Sequence, residues 1–184
     1  MLLTFEEIAL PLDLSGLVLL LVVLRRRKRS WLYCFAFALL WLYLLSLVGL
    51  ALFPIPIPDT MENRQTISHI ISEVNLIPFD FGGLFNLHPN VIWHELGGNI
   101  LLTVPFGLGF TFLVRIRARM IPLLAVTVGL AIETAQLLVS IAIRSAYRGV
   151  DINDVLLNAV GVLISFGIFR ASAWLTTALC LLRN

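Results

Sequence analysis

The stretch ETAQLLVSIAIRSAYRGVDINDVLLNAVG (residues 133–161) places polar side chains between two apolar segments. It begins inside one long apolar run and ends inside another. Polar and ionisable side chains are costly to keep at membrane depth, so those that occur there are functional candidates by default. The candidates in this stretch are Glu133, Gln136, Arg144, Arg148, Asp151, Asp154 and Asn158.

The composition of the whole chain is that of a membrane protein. Of its 184 residues, 59% are apolar and only 13% are charged, and the mean hydropathy is +0.97. A soluble domain of this size would not carry several uncharged apolar runs of about 20 residues. We therefore expect an all-α fold: a polytopic helical membrane bundle with a long outer loop that carries short interfacial helices.

The apolar runs predict about five transmembrane helices. The long segment between the second and third runs is too polar to cross a membrane. We divide the chain into an N-terminal helix with a basic stop (1–30), a central transmembrane domain (31–170) and a C-terminal tail or helix extension (171–184). The predicted spans are 8–24, 31–53, 96–114, 120–143 and 155 to at least 169.

The connection 59–95 contains one short amphipathic pattern. Apolar residues recur at i, i+3, i+4 and i+7, which is typical of a helix with one apolar face. Asp59 or Thr60 could cap this helix, which would lie at the interface or fold over the bundle. The apolar positions are Ile67, Ile70, Ile71 and Val74.

The basic residues predict the orientation. With five spans, ten of the thirteen Lys and Arg residues fall on one side of the membrane. Because cytoplasmic loops are enriched in Lys and Arg, we expect an outside N-terminus and a cytoplasmic C-terminus in a bacterial plasma membrane. The connections 59–95 and 144–154 then face outward. The three basic residues on that side are Arg64, Arg144 and Arg148.

Two polar clusters carry alternative interpretations. Glu133, Gln136 and Ser140 share one helix face, which fits either interhelical packing or a ligand or proton role. Asp151 or Asn153 could cap the fifth helix. The two arginines and two aspartates of the 144–154 connection form either a salt-bridged connection or a site for a zwitterionic or anionic head group.

Recognised catalytic and cofactor motifs are missing from the sequence. His94-Glu95 resembles the start of a zinc-protease helix, but Gly98 stands where the second histidine is required. We expect no metal and no cofactor. Arg25–Arg29 is a cytoplasmic stop signal beside a membrane span, so we expect contacts with membrane lipids and none with nucleic acid. The oligomeric state is left open.

Four short blocks in order resemble the VanZ-like membrane protein family over roughly residues 31–169. They are the segment 75–79 (NLIPF), the segment 99–107 (NILLTVPFG), the segment 133–136 (ETAQ) and the residues from Arg148 to Gly161. In the second block, Thr103 stands where the family pattern leads us to expect a bulkier apolar residue. The resemblance implies polar functional positions at Asn75, Asn99, Glu133, Gln136, Arg148, Asp151, Asp154 and Asn158.

The resemblance also implies a bacterial cell-envelope protein, because some family members are linked to low-level resistance to lipoglycopeptides such as teicoplanin. We expect an outward-facing polar cleft that binds an amphiphile, either lipid-linked or a lipoglycopeptide. One alternative is a membrane-embedded enzyme with Glu133 or Asp154 as the catalytic base. Another is a small proton-coupled transporter, for which Glu133 would be the titrating group.

Overall fold

The computed structural model describes residues 2–3, 10–58 and 64–182. These residues form a helical bundle, with one small antiparallel pair in which Leu2 faces Pro56 and Leu3 faces Ile55. Asp59 and Thr60, the expected caps, lie outside the described residues. The helices are α1 (Leu10–Arg26), α2 (Trp31–Leu52), α3 (Ile67–Ser72), α4 (Pro89–Ile92), α5 (Gly98–Leu113), α6 (Ile121–Ile143) and α7 (Ile152–Leu182), and the two-residue strands are β1 (Leu2–Leu3) and β2 (Ile55–Pro56).

Four helical segments of the described chain are long and apolar enough to cross a membrane. They are Trp31–Leu52, Pro89–Leu113, Ala118–Ile143 and Ile152–Cys180. The 17 residues of α1 fall just short of that length. Since a span needs about 20 residues, the predicted count of about five is consistent with four full spans and one shorter helix. The chain is a multi-pass helical membrane protein.

Two spans begin several residues before their predicted starts. The third span begins at Pro89 rather than 96, because Pro89 occupies the first turn and the ring of His88 accepts a hydrogen bond from the Asn90 N–H. A π-helical turn, Trp93–Gly97, joins α4 to α5. The fifth span begins at Ile152 and continues through Arg170 as one helix.

Small and polar side chains allow α5, α6 and α7 to pack closely, as is usual in membranes. A Cβ at Gly161 would collide with the Ile100 carbonyl and the Thr103 hydroxyl. Gly161 therefore lets α5 and α7 approach closely. The buried Thr103 hydroxyl donates a 2.7 Å hydrogen bond to the Asn158 carbonyl, so its polar side chain serves an interhelical contact that a bulky apolar residue could not make.

The predicted amphipathic helix is α3, and its cap is Thr66. The Thr66 hydroxyl accepts a hydrogen bond from the His69 N–H. Ile70 is 2% exposed, whereas Ile71 remains exposed. The apolar stripe therefore buries one side chain against the bundle, where α3 contacts α6.

Candidate functional site

The NLIPF segment docks on the start of α7 through its first residue. The Asn75 N–H donates to the Val150 carbonyl at 2.9 Å, and the Ile152 N–H donates to the Asn75 carbonyl at 2.9 Å. The Asn75 amide nitrogen also lies 3.0 Å from a carboxylate oxygen of Asp151. These three bonds join two blocks that are 76 residues apart.

Asn153 fixes the turn that follows. Its amide oxygen accepts from the Phe79 N–H at 2.6 Å, and its amide nitrogen donates to the Asp80 carbonyl at 2.8 Å. The Asn75 amide nitrogen donates to the same carbonyl at 2.9 Å. Asn153 is 2% exposed, so its role is to hold the loop, and the helix cap is supplied by Asp151. The Asp151 carboxylate accepts from the Asn153 N–H at 2.7 Å.

Glu133 supports this connection from within the bundle. One of its carboxylate oxygens accepts a hydrogen bond from the Asp151 N–H at 3.1 Å, and the residue is 4% exposed. Its partner is therefore a backbone amide, rather than the Asn99, Asn158 or arginine side chain that interhelical packing would suggest. Glu133 lies behind Asp151 and orients the turn into α7.

Asp154 is held by α5. The Asn99 amide nitrogen donates to the Asp154 carboxylate at 2.6 Å and to the Glu95 carbonyl at 3.1 Å. The second contact lies at the π-helical turn, where a widened turn displaces the backbone carbonyls from their usual partners. The side chains of Asn99 and Asp154, which are 55 positions apart, thus meet at the shared end of α5 and α7.

These contacts surround a cavity of about 370 Å³. Its half-buried floor contains Asp151 and Asp154, and Glu73 and Glu95 stand on its exposed rim. Its lining includes four carboxylates and neither a lysine nor an arginine. A cationic or hydroxyl-bearing group fits this lining better than an anion, which the carboxylates would repel. The cavity is lined by Glu73, Asn75, Phe81, Leu84, Leu87, Val91, Glu95, Leu96, Gly149, Val150, Asp151, Asn153 and Asp154.

The Arg148 side chain lies away from this cavity. Its guanidinium donates to the carbonyls of Leu50 and Phe53, both at 3.0 Å. The backbone carbonyls at the end of α2 lack helical partners, and a guanidinium is well suited to satisfy them. The expected pairing of Arg148 with the aspartates is therefore replaced by a link to α2.

Two further predicted residues, Gln136 and Asn158, do not line the cavity. The Gln136 amide nitrogen donates to the Ala51 carbonyl at 3.0 Å. Asn158 is fully buried. Within the part of the chain that the structure describes, neither polar atom of its side-chain amide has a hydrogen-bond partner. Of the eight candidates, Asn75, Asp151 and Asp154 line the cavity. Asn99 holds Asp154 and Glu133 holds Asp151, and the other three candidates, Gln136, Arg148 and Asn158, lie elsewhere.

Tyr147 reinforces the link to α2. Its hydroxyl donates to the Leu52 carbonyl at 3.0 Å. Burial raises the pKa of this hydroxyl, and the nearby Arg148 charge opposes that change less strongly. The phenol therefore keeps its proton and remains a donor at neutral pH.

The described residues offer no cluster of three or more His, Cys, Asp or Glu side chains that could hold a metal ion. The four cavity carboxylates do not form such a cluster. The cavity suits an organic group with several hydrogen-bond donors.

Sequence reasoning overlooked the far wall of the cavity. Its apolar residues Leu84, Leu87 and Val91 come from a 3₁₀ turn (Leu84–Asn86), the loop after it and α4, so no single helical period identifies them. Glu95 was considered only as part of a metal motif. It lies in the cavity because the helix already starts at Pro89, seven residues before the predicted span.

Comparison with known proteins gives a family. The VanZ/LLP1 family model matches residues 40–176, most of the chain. The chain belongs to the VanZ/LLP1 family. The match includes every residue that lines the cavity and every helix from α3 to α6. No protein of curated function and no solved structure matches the chain.

Proposed function

We propose that this VanZ/LLP1 protein binds the polar group of an amphiphile in its acidic cavity, on the outer face of a bacterial plasma membrane. The observation that carries the proposal is the lining, which combines four carboxylates and two asparagines with apolar side chains from 81–96. Such a lining favours a ligand with ammonium or hydroxyl groups over a phosphate.

An adjacent groove offers a place for the apolar part of the ligand. It has a volume of about 390 Å³ and is lined by apolar residues, including Ile92, Trp93 and Ile100. Leu96 lines both the groove and the acidic cavity. A ligand with its head group in the cavity could pass its chain over Leu96 into the groove, which lies on the α4–α5 segment that crosses the membrane.

The outward orientation is supported by the charge distribution. The cavity lies at the end of the bundle where α2 and α6 finish and α5 and α7 begin. The clusters Arg25–Arg29 and Arg115–Arg119 lie at the other ends of these helices. The positive-inside rule then puts the cavity outside, within reach of lipid-linked wall precursors and lipoglycopeptides.

Three amphiphiles with the same chain test the binding site. Dodecylamine, dodecyl maltoside and dodecyl phosphate are added to the purified protein in nanodiscs, and stabilisation against heat reports binding. We expect dodecylamine to bind about tenfold more weakly to Asp154→Asn, since a hydrogen bond to a charged group contributes about 1.5–3 kcal/mol. Asp13→Asn removes a carboxylate outside the cavity and should bind like the wild type. Equal binding to both variants would contradict the proposal.

The contribution to resistance is tested in cells. Expression in a susceptible bacterium should raise the inhibitory concentration of teicoplanin, and Asp154→Ala should abolish this effect while the membrane level of the protein stays the same. If Asp154→Ala gives full resistance at wild-type protein levels, the cavity does not contribute to the resistance.

The enzyme alternative has one supporting observation. Asn99 orients the Asp154 carboxylate, which lines the cavity, so Asp154 could take a proton from a bound group. This function would be favoured if incubation with the wild type changes the mass of a lipid-linked substrate and incubation with Asp154→Asn leaves that mass unchanged. The bond between Glu133 and the Asp151 N–H weighs against Glu133 as a mobile proton carrier.

A further inference from the structure

A second groove lies at the opposite end of the bundle, between the end of α5 and α7. Its volume is about 520 Å³. Arg115 and Arg170 both line it, and its walls include Phe166, Phe169 and Trp174. It combines two cations with a large aromatic surface.

The two arginines carry uncompensated charge. The whole sequence has no Asp or Glu in residues 14–58, 96–132 and 155–184, which supply this end of the bundle. In residues 10–58 and 64–182, neither guanidinium forms an ion pair with a carboxylate, and both side chains are exposed. The Arg170 guanidinium carbon lies 5.8 Å from the centre of the Phe166 ring, a contact that leaves its N–H donors free.

The groove lies within side-chain reach of the lipid phosphates. Hydrogen bonds pair Asn99 with Asp154 and Thr103 with Asn158, so α5 and α7 run parallel. The 16 residues from Asp154 to Arg170 extend about 24 Å along the helix, and the hydrocarbon core is about 30 Å thick. With Asp154 at one boundary, the Arg170 backbone lies about 6 Å short of the other, a distance that a long arginine side chain can span. Trp174 is one turn farther, where aromatic anchors are common.

We propose that this groove is a binding site for the phosphate group of one anionic phospholipid. Arg115 and Arg170 would hold the phosphate through charge-assisted hydrogen bonds. Phe166, Phe169 and Trp174 would contact the glycerol and the upper part of the acyl chains. The site differs from general attraction to the Arg25–Arg29 cluster because one arginine just after α5 and one on α7 line the same aromatic groove. It does not depend on the function proposed for the acidic cavity.

Native mass spectrometry of the full chain tests the site. The protein in detergent is titrated with phosphatidylglycerol and with phosphatidylcholine of the same acyl chains. We expect the wild type to retain one phosphatidylglycerol with at least tenfold higher affinity than phosphatidylcholine. This comparison uses only the wild type, so it does not depend on the folding of a variant. Equal retention of the two lipids would overturn the proposal.

A matched pair of variants assigns the binding to the groove. The double variant Arg115→Gln/Arg170→Gln should lose at least tenfold in affinity for phosphatidylglycerol. Arg117→Gln/Arg119→Gln removes the same charge from the α5–α6 connection without changing the groove. This control should change the affinity for phosphatidylglycerol less than twofold. Equal losses would show general attraction and overturn the site. A titration with glycerol phosphate forms the last arm, and competition at equal concentration would overturn the assignment to a lipid.

Discussion

Gly161 is a residue at which α5 and α7 approach closely. An added Cβ would meet backbone of α5 at Ile100, which cannot move aside as a flexible side chain could. Overpacking of this kind costs about 1–3 kcal/mol, and in a chain of this size each kcal/mol lowers the melting temperature by about 2–4 °C. We expect Gly161→Ala to lower the melting temperature in detergent by several degrees.

Gly167 is the matched control on the same helix. A Cβ there meets nothing within 4 Å, and alanine favours a helix over glycine. Gly167→Ala should leave the melting temperature unchanged or raise it slightly. If both variants behave alike, close contact at Gly161 is not what limits the stability of the bundle.

Two replacements of Glu133 distinguish a structural role of its carboxylate from a chemical one. Glutamine retains an oxygen that can accept the Asp151 N–H, whereas alanine leaves that amide without its partner. Loss of a partner by a shielded amide costs about 1–3 kcal/mol. We expect Glu133→Gln to unfold near the wild-type temperature and keep its activity, and Glu133→Ala to unfold several degrees lower. An inactive Glu133→Gln with unchanged stability would instead favour the enzyme or transporter alternative.

At the level of single residues, the sequence predicted three polar side chains that the structure brings to one cavity, but it did not predict all of their partners. Asn75, Asp151 and Asp154 do line one cavity, although 76 positions separate the first two. Arg148 was assigned to the aspartates because it is their neighbour in sequence. Only the position of α2 shows that its guanidinium reaches the Leu50 and Phe53 carbonyls, because tertiary packing decides that contact.

At the level of elements, α2 is joined to the α6–α7 connection by Arg148. Replacement by glutamine removes the charged donors that reach two carbonyls, at a cost of about 1–3 kcal/mol. We expect Arg148→Gln to lower the melting temperature by several degrees while the folded protein binds dodecylamine as tightly as the wild type. Arg64→Gln, an exposed arginine at the same end, should change neither. If folded Arg148→Gln binds dodecylamine more weakly than the wild type, Arg148 contributes to ligand binding.

Helix prediction worked where hydropathy was the deciding signal. α2 and α6 were placed to within one residue, because long apolar runs end there at prolines or arginines. The starts of the α4–α5 span and of α7 were misplaced because polar residues lie near them. Asp154 and Glu95 lower the local hydropathy, yet both lie on helical segments and line the cavity. The polar residues that hid the helix starts are thus the ones that form the site.

The whole molecule is polarised between its two ends. Every carboxylate of the acidic cavity lies at the end where α5 and α7 begin, and the acid-free segments supply the other end. The separation of the carboxylates from the acid-free end follows from the sequence, because successive spans cross the membrane in opposite directions. The depth and the lining of the two cavities do not, because they depend on the parallel packing of α5 against α7 and on the docking of the NLIPF segment.

The two ends make the orientation measurable with single cysteines. Cys180 is exposed near the end of α7, whereas Cys34 is buried. We expect a membrane-impermeant maleimide to label Cys180 only after the cells are permeabilised, since the acid-free, arginine-rich end should face the cytoplasm. In a Cys180→Ser background, Gly149→Cys places a thiol at the exposed rim of the acidic cavity, and intact cells should be labelled. The reverse pattern would place the acidic cavity in the cytoplasm, out of reach of external lipoglycopeptides, and would exclude the outward-facing function.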